Sequence, residues 1–328
     1  MIATVPPDEP QPVLAHNQPD WRRLVEVLTM GFVGSVMVTL WGWGSPQGGV
    51  PTHVRLIGVA VAVSGIAGLI AIIIAWLRSR KLVGRRVLTL VVWTLPLLFS
   101  PPLLSQDGWA YAAQGWILTQ GMDPYRVPQG LAEVLGKAVD TPWQATTAVY
   151  PPGSLWIQAA VVKITHADPT WSVMLMRIPA LIGVALMVWA VPRLARYAGT
   201  DPDHALWLAV CCPLTTLSVV GGMHNDGLQV GLSLVALVVA IRLALIGRGW
   251  LGLVLGGAFV GLAGGVKQPG VLAGVGIVAL VHVNAVRHGG RRWSTRNCWT
   301  ALLARIAVGA IPALTVFGGI SAIHGLGM

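Results

Sequence analysis

The chain has 328 residues, of which 55% are hydrophobic and only 10% charged, and its formal net charge is +10. A soluble domain carries roughly 25% charged residues, so an ordinary soluble enzyme is excluded. The excess of basic residues falls at the ends of apolar runs, where membrane topology accounts for it without a nucleic-acid partner. The runs are about 20 residues long, the length a helix needs to cross a bilayer. Backbone in lipid must bond within its own segment, so the runs are helices. The alternating pattern of barrel strands is missing.

In chain order, residues 1–20 carry Pro6, Pro7, Pro10 and Pro12 and read as a disordered cytoplasmic tail without a cleavable signal. Nine spans are predicted, at about 24–43, 54–77, 84–104, 171–192, 204–221, 227–246, 250–266, 269–287 and 299–322. The expected fold class is therefore an all-α, polytopic membrane bundle, one transmembrane domain over 21–328. With the N-terminus inside, 15 of the 22 Lys and Arg fall on the cytoplasmic side (positions 22, 23, 78, 80, 81, 85, 86, 193, 196, 242, 248, 287, 291, 292 and 296). Five fall outside (55, 126, 137, 163 and 267), and Arg177 and Arg305 lie within spans. This asymmetry sets the orientation expected in a plasma membrane.

The segment 105–170 is too long for a simple connector and is read as a folded outer loop. Ser105 can cap a helix running to about Gln120, with Gly121 as its stop. Asp123-Pro124 reads as a turn, and Tyr150-Pro151-Pro152-Gly153 leads into a second short helix, too short to span and expected at the interface. Glycines four apart at Gly252/Gly256, Gly257/Gly261/Gly265 and Gly270/Gly274 let helices approach closely. The run Gly261 to Lys267 is not a phosphate-binding loop, because Gln268 stands where that motif needs Ser or Thr. The three cysteines, Cys211, Cys212 and Cys298, form neither a disulfide framework nor a metal spacing.

Three places on the outer side could carry chemistry, because ionisable groups beside apolar spans are costly and functional by default. Asp107 opens the first outer helix, and Tyr111 and Gln114 follow on the same face. The plainer reading is an aspartate that favours the helix N-terminus. His224-Asn225-Asp226 sits at a turn between spans, either as part of a site or as a solvated turn with a helix cap. One His and one Asp fall short of a metal ligand set. No cofactor is called for, with a divalent ion left open. Lys267 is the lone cation of its turn, either snorkelling to the surface or clamping an anion such as a lipid phosphate. Together these groups fit attack by a hydroxyl on a lipid-linked phosphate ester. Asp107 would take the acceptor proton and Lys267 would stabilise the leaving phosphate.

The stretch Ser105-Gln106-Asp107-Gly108-Trp109-Ala110-Tyr111-Ala112-Ala113-Gln114-Gly115, followed by Gly121-Met122-Asp123-Pro124-Tyr125, resembles the first outer loop of the actinobacterial polyprenol-phosphomannose-dependent α-(1→6)-mannosyltransferases. So do Thr141-Pro142, Tyr150-Pro151-Pro152-Gly153, His224-Asn225-Asp226, and Lys267 with Pro269. The family usually has Tyr-Gly-Pro where this chain has Tyr150-Pro151-Pro152.

The resemblance implies a C-type (GT-C) glycosyltransferase bundle. It implies transfer of mannose from polyprenyl-phosphate-mannose to a lipomannan or lipoglycan acceptor on the outer face. Inversion would leave Asp107 as the base. Tyr111, Gln114, Asp123, Tyr125, Tyr150, His224, Asn225, Asp226 and Lys267 would be substrate-binding. The family tends to have more spans, which implies a shortened member or a fragment. Two other classes compete: a lipid or small-molecule transporter, and an inactive scaffold subunit of a cell-wall complex. A transporter would place its ionisable groups at mid-membrane, between internal repeats. A scaffold would not need Asp107.

Overall fold

The computed structural model describes residues 21–45, 55–288 and 296–322. The expected tail at 1–20, and Arg291 and Arg292 among the expected cytoplasmic cations, lie outside the described residues. Among the described residues the regular elements are all helical. They are α1 Trp21–Gly44, α2 Arg55–Ser79, α3 Arg86–Leu97, α4 Asp107–Thr119, α5 Glu133–Lys137, α6 Thr141–Gln144, α7 Pro152–Ile164, α8 Pro169–Leu175, α9 Arg177–Tyr197, α10 Pro202–Ala209, α11 Asp226–Leu245, α12 Gly249–Val266, α13 Ala273–His288 and α14 Arg296–Ala322. A π-type helix covers Leu214–Gly221 and 3-10 turns cover Gln129–Leu131 and Gln268–Leu272.

Among the described residues, seven helices are long and apolar enough to cross a membrane, eight if the bent pair Pro202–Ala209 and Leu214–Gly221 counts as one span, against the nine expected. The run at 84–104 forms a helix of only 12 residues, about 18 Å long at 1.5 Å per residue against a core of about 30 Å. Pro101 and Pro102 follow it closely, and the chain leaves the helix before them. In the run at 204–221 the axis bends by 52° around Pro213.

The chain groups into two compact units. The first comprises residues 1–100 and 191–216. Here α1 and α2 touch at Gly34 and Gly68, where a Cβ on either would lie within 3 Å of the other's carbonyl oxygen. Trp93 of α3 is fully buried over Gly31. Trp76 and Trp207 stack at 4.7 Å, and each indole N–H donates to the other's backbone carbonyl, at 3.0 and 2.9 Å. Arg86, buried, pairs with Asp203 at 2.6 Å. This pair is structural, since Asp203 also accepts from the Gly84 N–H at 2.7 Å and so pins the turn before α3. Trp207→Phe removes one hydrogen bond but keeps the stack. It is expected to cost about 1 kcal/mol, readable as a small fall in the thermal midpoint of the purified chain.

The second unit, residues 101–190 and 217–328, holds the expected outer loop and helices α11 to α14. The glycine spacing does what the sequence suggests. A Cβ at Gly257 would sit 2.3 Å from the Gly309 carbonyl oxygen, and one at Gly261 2.5 Å from that of Ala313, so α12 and α14 meet backbone to backbone. Three further close approaches set the site. Gly115 on α4 lies under the Gln158 backbone of α7, Gly153 on α7 lies against Gly265 of α12, and Gly183 on α9 lies against Gly227 of α11. These contacts hold α4 against the middle of α7, the start of α7 against the end of α12, and α9 against the start of α11. The short helix α7 packs into the unit, burying Leu155, Val161 and Val162.

Candidate active site

The site forms where two turns are held side by side. The Leu103 N–H donates to the Gly221 carbonyl at 3.0 Å, tying the turn before α4 to the turn before α11. Leu104 and Met223 both take left-handed backbone, each with φ +60. A non-glycine residue there costs about 1–3 kcal/mol and persists only where its surroundings impose it. Leu104 stands directly before Ser105 and Met223 directly before His224, so both kinks aim a site turn.

Asp107 begins α4 as expected, but the cap position is Gln106, without a side-chain cap, and not the expected Ser105. The Ser105 hydroxyl accepts the Asp107 backbone N–H at 3.1 Å. Its Oδ2 lies 3.1 Å from Nδ1 of His224 and accepts from the Tyr111 hydroxyl at 3.2 Å. Both contacts fall on one oxygen and leave Oδ1 clear of them. Burial opposes the charged carboxylate, but hydrogen bonds involving His224, Ser105 and Tyr111 together outweigh it. The net effect holds the acid below the ordinary aspartate value of 3.8. Asp107 is therefore a carboxylate at neutral pH, held in one orientation.

Tyr111 links the two turns. Its hydroxyl lies 3.3 Å from Oδ1 of Asn225 and 3.5 Å from the Tyr150 hydroxyl. The two rings meet edge to face at 5.2 Å. Burial, with Tyr150 and Asp107 nearby, pushes the Tyr111 phenol well above its ordinary value, so it remains an O–H donor. Burial also raises Tyr150. Asn225 precedes α11, yet its side chain does not cap that helix. Its amide donates instead to the Ser154 hydroxyl at 3.1 Å, which also accepts from Gln158 at 3.1 Å. The reading of 224–226 as a solvated turn with a cap therefore does not describe Asn225, which is only 6% exposed.

Lys267 ends α12 in extended backbone. Its ammonium lies 2.7 Å from Oδ2 of Asp226, with side chains 26% and 43% exposed, and 5.8 Å over the Tyr150 ring. Lys267 is thus paired with a carboxylate instead of standing as a lone cation. Gln268 donates to the Val149 carbonyl at 2.9 Å and holds this turn against the approach to α7.

Seven of the ten residues picked from the sequence form one connected cluster: Asp107, Tyr111, Tyr150, His224, Asn225, Asp226 and Lys267. Asp123 and Tyr125 line an adjoining cavity of about 270 Å³ with Trp156 and Pro152. The Tyr125 hydroxyl reaches the Tyr150 carbonyl at 2.8 Å, and burial, with Asp123 beside it, raises its pKa to about 12. Asp123 pairs at 3.3 Å with the exposed Arg126. Gln114 is buried, and no hydrogen bond joins it to Asp107 or Tyr111; its Oε1 has no hydrogen-bond partner among the described residues. The expected polar stripe on α4 thus breaks after Tyr111. Ser105 is read only as a helix cap in the sequence, and Ser154 and Gln158 are not picked out. Their signal was present: a serine two residues before the aspartate, and a Ser-Gln pair one helical turn apart behind Gly153. Among the described residues, no three His, Cys, Asp or Glu side chains gather as a metal site.

A family model described as alpha-(1->6)-mannopyranosyltransferase, N-terminal domain, matches residues 28–284. The chain belongs to this family. It is similar to alpha-(1->6)-mannopyranosyltransferase A of Mycobacterium tuberculosis, at 35% identity over 91% of this chain and 59% of that protein. It is similar also to alpha-(1->6)-mannopyranosyltransferase A of Corynebacterium glutamicum, at 36% identity over 47% of this chain and 32% of that protein. The chain therefore spans less than two thirds of the length of these curated relatives. No solved structure matches it.

Proposed function

We propose that this cluster is the catalytic centre of a membrane glycosyltransferase. It moves mannose from polyprenyl-phosphate-mannose to a hydroxyl of a lipomannan or lipoglycan acceptor, on the outer face of the plasma membrane. The observation that carries the reading is Asp107, a carboxylate oriented through Oδ2 by His224 and Tyr111, with neither of those two contacts on its Oδ1. The names of the family's members supply the sugar.

In the proposed step the acceptor oxygen forms its bond to the sugar C1 as the C1–phosphate oxygen bond breaks. Asp107 receives the acceptor proton at Oδ1. Polyprenyl phosphate leaves as a weak base, so no acid is needed on that side. Its charge is met by Lys267, which turns from Asp226 towards the phosphate. A β-linked donor then gives an α-product by inversion, with one base and no covalent nucleophile. The depressed pKa weakens Asp107 as a base in the resting state. The acceptor hydroxyl becomes acidic only as its oxygen bonds to C1, so a weak, fixed base suffices at that point. Asp123 and Tyr125, beside their own cavity, are placed to meet the acceptor chain.

The direct test is mannose transfer from a short-chain polyprenyl-phosphate-mannose in membranes containing the chain. Absence of any transfer above control membranes, with the chain expressed and folded, would remove the reading and leave the scaffold alternative. The orientation is tested separately, in a background without native cysteines. Asp140→Cys should react with an impermeant thiol reagent in intact cells, and Arg248→Cys only after lysis. The reverse pattern would put the site on the cytoplasmic side.

The pH dependence has a defined sign. A carboxyl whose folded pKa is depressed contributes stability above its unfolded value and loses it as pH falls through the folded value. Transfer should therefore hold its plateau on the acid side until below pH 3.8, the ordinary aspartate value. Tyr111→Phe, which removes one donor to the carboxylate, should move that acid limb upward. A pH–rate profile with the limb unmoved by Tyr111→Phe would mean another group sets it.

A further inference from the structure

A second built cavity lies at the other ends of the same helices. α11 runs 20 residues from Asp226 to Leu245, about 30 Å, so its C-terminal end is a bilayer's thickness away from the Asp226–Lys267 pair. There a cavity of about 300 Å³ opens between α11, α12, α13 and α14, lined by Leu245, Gly249, Trp250, Asn284, Ala285 and Arg305 among others.

Arg305 is the unusual wall. It lies in an apolar span and is 8% exposed, a placement that is costly in a membrane and marks function by default. Its Nη1 is fixed by Nδ1 of His282 at 3.1 Å and by the Ala301 carbonyl at 3.1 Å. Its guanidinium lies 5.4 Å from the Trp250 ring centroid. The Nε2 of His282 in turn meets the Cys298 thiol at 3.4 Å. His282, Ala301 and Trp250 thus help to hold this long side chain beside the cavity.

The electrostatics of the cavity are one-sided. The 18-residue helix α12 begins at Gly249 with no side-chain cap on its first N–H groups, and such an end favours anions. Asn284 covers the Ala244 carbonyl at 3.0 Å, blunting the opposing negative end of α11. Arg242, Arg248 and Arg287 are exposed at the same helix ends. The sequence from 227 to 328 contains no Asp or Glu. Trp250, half-exposed, is the residue type found at the level of lipid headgroups.

We propose that this cavity binds the phosphate group of an anionic ligand, with Arg305 and the start of α12 as its donors and Trp250 as its outer wall. A guanidinium fork matches phosphate geometry, unlike a lone ammonium. The cavity size suits a lipid headgroup, and its position at the end of spanning helices makes a bilayer phospholipid the nearest source of that group. The site neither uses nor depends on the Asp107 cluster.

The experiment is native mass spectrometry of the purified full chain with phosphatidylglycerol or phosphatidylcholine added, with and without millimolar inorganic phosphate. The wild-type chain should retain phosphatidylglycerol about tenfold better than phosphatidylcholine. Arg305→Lys, which keeps the charge and the fold, should lose most of that preference. Ala285→Phe, which fills the cavity without touching a charge, should abolish it. A diazirine-bearing phosphatidylglycerol should crosslink within 244–250 or 281–285. If inorganic phosphate displaces the lipid, or alone raises the thermal midpoint in wild type but not in Arg305→Lys, the phosphate site stands and a soluble source can fill it. Equal retention of the two lipids with no response to inorganic phosphate, unchanged preference in both variants, or crosslinks mapping elsewhere would overturn the proposal.

Discussion

Asp107→Asn should lower mannose transfer by about 10²–10⁴-fold, the usual range for loss of a positioned general base, with normal expression and an unchanged thermal midpoint. Asparagine keeps the shape of the side chain. It can accept from Tyr111 and His224 as the carboxylate does, and it is favoured at helix starts. What it cannot usefully do is accept the acceptor's proton. Asp226 is the nearest rival, since it lies in the same cluster but is engaged by Lys267 at 2.7 Å. The comparison is made with each variant at equal level in the same membranes. Near-normal transfer by Asp107→Asn together with collapse by Asp226→Asn would move the base to Asp226. Near-normal transfer by both would sink the transferase reading.

How much of this was legible in the sequence depends on the range of each interaction. The spans were read from hydropathy alone, because apolar helix length is a local property. The run at 84–104 misled because its composition is apolar throughout while its prolines end the helix early. The Asp107–Tyr111 hydrogen bond was readable, since the two are four apart on a helix. Gln114 follows the same spacing, yet it is buried and not hydrogen-bonded to Asp107 or Tyr111, because periodicity gives the face of a helix and not what packs over it.

The bonds that make the site a unit are long-range. Tyr111 to Asn225 joins positions 114 apart, and Asn225 to Ser154 positions 71 apart. The pairing of Lys267 with Asp226 crosses 41 positions and changed a lone cation into half of an ion pair. Leu104 and Met223 are the deepest omission. A left-handed backbone is announced in sequence by glycine or asparagine, and neither position has one. The strain is imposed by tertiary contacts such as the Leu103–Gly221 hydrogen bond, which no local pattern encodes.

Lys267→Met is expected to slow transfer by about 30- to 1,000-fold, the equivalent of roughly 2–4 kcal/mol of barrier for one electrostatic stabiliser. The Asp226 pair makes the test sharper. If Lys267 serves the leaving phosphate, Asp226 is only its resting partner, and Asp226→Asn should release the lysine. That variant should fall less than tenfold in rate, or bind donor more tightly, because the phosphate no longer competes with a carboxylate. The double variant should then match Lys267→Met alone. A structural ion pair predicts a different pattern. Either single change would strand the partner's charge, so both would lose rate and thermal midpoint together, and the double change would recover some of each. The side chains are a quarter to nearly half exposed, so water can screen a stranded charge and the structural penalty should be small. The cycle needs kcat and KM for the donor in four proteins, with thermal midpoints alongside. Equal losses in the two single variants, with recovery in the double, would assign the pair to packing and leave the phosphate to another cation.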